Sequence, residues 1–148
     1  MTDPSQVADL LHSAAIHVLR RVSELETTIG RARLSALSVV VFRGPLNLGE
    51  LARAEGVRSA TMTGIVNGLE GERLVTRRPD ANDRRATLIE ATHLGKRVLA
   101  GERRRRIELV ASRLGDLAPD DLDLLWRAGR VVESRFALPP WESLDPST

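Results

Sequence analysis

Residues 50–95 read ELARAEGVRSATMTGIVNGLEGERLVTRRPDANDRRATLIEATHLG. Just upstream, Asn47-Leu-Gly-Glu50 is a capping signature that opens a helix over 48–55, which Gly56 closes. After Val57-Arg58 a second helix runs from about 59 to 70, with Met62, Ile65, Val66 and Leu69 on one face. LVTRR (74–78) and ATLIEA (86–91) are β-type runs flanking the polar segment 79–85. That segment is a turn, because Pro79 fixes φ and Asp80, Asn82 and Asp83 tolerate turn geometry.

Two short helices joined by three or four residues make a helix-turn-helix, and a hairpin directly after them gives the element order of a winged helix. The flanks are helical. Val7, Leu10, Leu11, Ala14, Ala15, Val18, Leu19, Val22 and Leu25 form one stripe at spacings of three and four. Asp3 caps this helix and Pro4 suits its first position, and Gly30 ends it or begins the next loop. A second helix over 31–43 turns Leu34, Leu37, Val41 and Phe42 inward and stops at Gly44-Pro45. Thr92 caps a long helix over 93–114 with Leu94, Val98, Val110 and Leu114 as apolar contacts. Pro119, followed by Asp120 and Asp121, opens a last helix through Phe136, with Leu122, Leu125, Trp126, Gly129, Val132 and Phe136 on one stripe. The expected fold is mainly α (α+β): a winged helix-turn-helix lobe over 31–92, with long arms over 4–29 and 93–138.

Composition narrows the function. The 148 residues suit one domain, and 42% hydrophobic with 28% charged suits a globular chain rather than a disordered one. The absence of cysteine excludes disulfides, thiolate zinc sites and a cysteine redox switch. No apolar run approaches the roughly 18 residues that span a membrane, and MTDPSQVADL lacks a signal peptide's basic and apolar regions. The expectation is a cytoplasmic protein without a membrane partner. Net charge is +2, yet residues 58–106 hold twelve Lys/Arg against six acids, while 1–57 balance and 107–148 are acidic. A basic middle third is the electrostatic footprint expected for phosphate.

The helix-turn-helix ends in Leu74-Val75-Thr76-Arg77, the far side of the turn carries Asp83-Arg84-Arg85, and the next helix starts at Thr92-His93-Leu94-Gly95. With these motifs at these offsets, and with long helices on both sides, nearly the whole chain resembles the MarR family of bacterial transcription regulators. The resemblance implies a homodimeric winged-helix protein binding double-stranded DNA. Such proteins are usually repressors, relieved by a small anionic or aromatic effector. It implies that Arg84 and Arg85 reach the minor groove, where narrow A·T-rich segments concentrate negative potential. Asp83 then orients one guanidinium through a charge-assisted contact. The alternative for this tip is a solvated turn with a surface ion pair worth roughly 0–1 kcal/mol.

A recognition helix offers its N-terminal residues to base edges. Here these are Arg58, Ser59, Ala60, Thr61 and Thr63, with Asn67 further along. Arg58, Arg77 and Arg78 are expected on phosphates. Gly64 departs from the family, whose members often carry a long polar or basic residue there; it costs about 1 kcal/mol of helix propensity relative to Ala. A winged-helix protein-interaction module without DNA binding, or a constitutive regulator without ligand sensing, is the alternative function.

The surplus apolar stripes at both ends point to burial against a second copy, through Val7, Leu10, Leu11, Ala14, Leu125, Val132 and Phe136. His12, His17 and Trp126 are candidates for an effector pocket. His12 and His17 lie about 140° apart round the helix, which is poor metal spacing, so no metal or other cofactor is expected. Arg103 to Arg106 span a full turn and cannot all follow one phosphate track; they read as a solvated face. No nucleophile with its base, carboxylate pair or metal cluster has the spacing of an enzyme, so no catalytic residue is assigned.

Overall fold

The computed structural model describes residues 3–83 and 85–136. The elements in order are α1 (Pro4–Ser23), α2 (Arg31–Arg43), β1 (Leu46–Asn47), α3 (Leu48–Ala54), α4 (Ser59–Gly71), β2 (Val75–Pro79), β3 (Thr87–Ala91), α5 (His93–Leu114) and α6 (Pro119–Phe136). The chain divides into two compact units, one running up to Glu26 together with Arg104–Phe136, the other Thr27–Arg103. Helix α5 belongs to both.

The second unit is the winged helix. Asn47 and Glu50 form a reciprocal capping box at the start of α3, each side chain satisfying the other's backbone N–H at 2.9 Å. Helix α4 ends with Arg73 at φ +60, while the Leu74 N–H donates to the Leu69 carbonyl, so the chain reverses directly into β2. The sheet is antiparallel with order β1-β3-β2, and Leu46 and Arg77 both pair with Ile89 from opposite sides. Strand β1 was not expected: two residues are too short to show a period.

The core of this unit is built from Leu34, Leu37 and Val40 of α2, Leu51 of α3, Met62, Val66 and Leu69 of α4, Val75 and Ile89 of the sheet, and Leu99 of α5. Ile65 and Val41 pack against it partly buried, as the helical spacing requires. Phe42 does not point inward; it is exposed, and Val40 takes the core position two residues earlier. On α5 the buried face is Gly95, Leu99 and Glu102; of the expected apolar contacts Val98 packs partly buried against this core, while Leu94 is exposed. Gly95 explains the choice, since a missing side chain lets the helix lie against the Leu74 backbone.

The arm expected over 4–29 stops being helical at Ser23. Residues 24–29 lead instead into a loop in which Thr28 donates from its backbone N–H (3.0 Å) and its hydroxyl (2.9 Å) to the buried Glu102 carboxylate. A carboxylate on α5 thus replaces intrahelical bonding at Thr28. In the first unit neither α1 nor α6 has a buried residue.

Candidate nucleic-acid interface

Helix α4 buries Met62, Val66 and Leu69 and leaves the opposite stripe to solvent: Ala60, Gly64 and Asn67 are exposed and Thr63 is half-buried. Arg58, Ser59 and Thr61 at its start are exposed as well, and no side chain caps the first turn. The Thr63 hydroxyl donates to the Ser59 carbonyl at 2.9 Å, so its oxygen can only accept from a further partner. Nothing lies within 4 Å of where a Gly64 Cβ would stand. A pocket of about 400 Å³ opens there, lined by Thr61, Gly64 and Ile65 on α4 and by Ile29 to Arg33 at the start of α2.

Arg77 does not stand alone on the hairpin. Strand alternation places it on the same face as Val75 and Ile89, at an exposed position next to α4. It turns onto α4, donating to the Glu70 carboxylate and, at 2.8 Å, to Asn67 Oδ1. Arg78, on the opposite face, bonds Glu90 diagonally across the hairpin at 2.7 Å. Arg33 reaches over Gly68 to Glu72; a Cβ at Gly68 would lie 3.2 Å from the Arg33 Cδ. These glutamates are what the sequence reading missed. The period-two spacing Val75-x-Arg77 was the available signal that Arg77 shares the sheet face turned toward α4. Among the described residues, Arg58 and Arg85 have no carboxylate partner.

Asp83 has a task in the turn that its residue type alone did not assign to it. Its Oδ1 accepts from the backbone N–H of Arg85 at 2.9 Å, and its carbonyl accepts from the Ala86 N–H. The carboxylate therefore shapes the turn, a short side chain finding the amide two residues on before any guanidinium of Arg85. Asp80 repeats the device on the Asn82 N–H at 2.8 Å. Arg84 lies outside the described residues; Asp83 and Arg85 are exposed at the tip.

In the first unit an apolar groove of about 1050 Å³ runs between α1 and α6. Val7, Leu11, His12, Ala14, Val132 and Phe136 are among its walls. Leu10 (70%) and Leu125 (48%) are exposed but do not line it, and Phe136, which does, is itself 73% exposed. Of the three residues assigned to an effector pocket, only His12 lines this groove; His17 and Trp126 are exposed elsewhere. Among Arg103 to Arg106, Arg104 meets Glu108 at 3.8 Å and the first three are exposed. No helix of the described residues is long and apolar enough to cross a membrane.

The family model for the MarR family matches residues 30–87, from the start of α2 to the start of β3. An HTH-type transcriptional regulator of Mycobacterium bovis is 32% identical over 104 residues, 70% of this chain and 73% of that protein. The HTH-type transcriptional repressor NicR of Pseudomonas putida is 32% identical over 93 residues, 56% of this chain and 59% of that protein. Among solved structures, the transcriptional regulator Tm0710 from Thermotoga maritima is similar with a TM-score of 0.73 at 28% identity, covering 90% of this chain and 99% of that one. With its exposed α4 stripe, its wing and these relatives, the chain belongs to the MarR family of DNA-binding, winged helix-turn-helix transcription regulators.

Proposed function

We propose that this chain is a repressor that binds a pseudo-palindromic operator as a homodimer, in the cytoplasm, and that a small anionic or aromatic effector releases it. The observation that carries the reading is the Arg77 contact with Glu70 and Asn67. It fixes the first strand of the wing against the exposed side of α4, so helix and wing present to DNA as one rigid surface. The α4 stripe enters the major groove with Ser59, Ala60, Thr61, Thr63 and Asn67. Arg58 and Arg78 lie along phosphates, and Arg84 and Arg85 enter the minor groove.

Two copies join through the apolar groove and its rim. Leu10, Leu125 and Phe136 are too exposed for a solitary monomer, and two-fold pairing sets half-sites about one helical turn apart. Repression is supported by the likeness to NicR, a transcriptional repressor by name. The effector follows from the family.

Fluorescence anisotropy tests the proposal, using DNA upstream of the protein's own gene at about 50 and 200 mM salt with scrambled competitor. Specific binding that survives competitor and weakens about 10³–10⁵-fold across that range is expected. Equal binding to the scrambled duplex refutes a sequence-specific regulator.

A further inference from the structure

We infer that Asn67 selects a keto base, guanine or thymine, and that Arg77 is the positioning residue that makes it do so. The inference rests on the DNA-binding reading above and adds the chemistry of one contact. An unconstrained asparagine offers one acceptor and one donor edge, the pair that matches adenine N6 and N7. Asn67 is not unconstrained. Its Oδ1 accepts from the terminal nitrogen Nη2 of Arg77 at 2.8 Å, while the other terminal nitrogen, Nη1, donates to Glu70. A guanidinium has no acceptor, so the amide oxygen must face it and the amide NH₂ must face away. A base amino group brought to the oxygen would meet the arginine donors head on. What remains available is a pair of N–H donors beside a cation, which fits guanine O6 and N7 or thymine O4 and rejects the adenine pair. Asn67 stands on the exposed α4 stripe, seven residues after Ala60 and four after Thr63, in line with the other groove-facing positions.

The experiment is selection of binding sites from a randomised duplex pool by the wild-type protein and by Asn67→Ala, Asn67→Asp and Arg77→Met. The position whose preference disappears in Asn67→Ala should be guanine or thymine in the wild-type site, with replacement by adenine weakening binding on the order of tenfold. Arg77→Met frees the amide and should admit adenine at that position. Asn67→Asp, which keeps the arginine partner and serves if Arg77→Met fails to fold, should shift it to cytosine or adenine. A wild-type preference for adenine there overturns the inference. So does sequence-specific binding in which Asn67→Ala changes no base preference; the regulator reading survives both results. Selection of no sequence at all by the wild type overturns that reading, and this inference with it.

Discussion

A Cβ on Gly95 would stand 2.1 Å from the carbonyl oxygen of Leu74. That carbonyl also accepts from the Thr92 N–H at 3.0 Å, and the Thr92 hydroxyl accepts from the Gly95 N–H. The Thr-x-x-Gly motif is thus a joint: threonine caps α5 and glycine lets its first turn lie on the strand entrance. Gly95→Ala forces backbone apart and should destabilise by about 1–3 kcal/mol or more. A urea titration should show a lower midpoint with an unchanged slope; a midpoint within error of wild type would mean the joint is loose.

Thr28→Val keeps the side-chain shape and removes one donor to the buried Glu102 carboxylate. Hydrogen bonds to charged groups contribute about 1.5–3 kcal/mol, so a loss of that order is expected. Thermal unfolding followed by circular dichroism should report a melting point lower by several degrees.

Gly64→Ala should act in the other direction. The added methyl meets open space, and alanine is favoured over glycine in a helix interior by about 1 kcal/mol. For a chain of this size a gain of that order raises the melting point by about 2–4 °C. A fall in melting point would show that the backbone at residue 64 is under a constraint other than propensity.

Much of this was legible in the chain. The three-and-four spacing of Met62, Val66 and Leu69 fixes which side of α4 is buried, and hence the exposed side. Thr92 and Pro119 mark the starts of α5 and α6. What escaped reading is whatever depends on pairing across long separations. Strand β1 exists only because Leu46 meets Ile89. Glu102 looks like one more surface charge until Thr28, 74 residues away, supplies its donors. The partners of Arg77, Glu70 and Asn67, are likewise hidden until the hairpin register is known. The α4 surface was readable residue by residue, but the coupling among its side chains was not.

Arg85→Ala removes a cation with no carboxylate partner among the described residues. It should lower the slope of log K against log salt by about one, measured by anisotropy over a salt series. An unchanged slope would place Arg85 off the DNA.

Leu125→Asp puts a charge among the exposed apolar side chains of α6, and Leu10→Asp does so on α1. If the proposed dimer forms, either should convert it to monomer in sedimentation-velocity runs at micromolar protein while the melting of the winged helix is retained. A wild-type protein that sediments as a monomer would refute the proposed assembly outright.

The glutamates matched to Arg33 and Arg77 also bear on how such a regulator finds its target. Affinity for random sequence comes from cations that displace counterions from phosphate, and two arginines beside α4 are already engaged within the fold. A reader built this way leaves wrong DNA quickly. Its search along a chromosome is made of short visits, and long residence is reserved for the sequence whose base edges match α4.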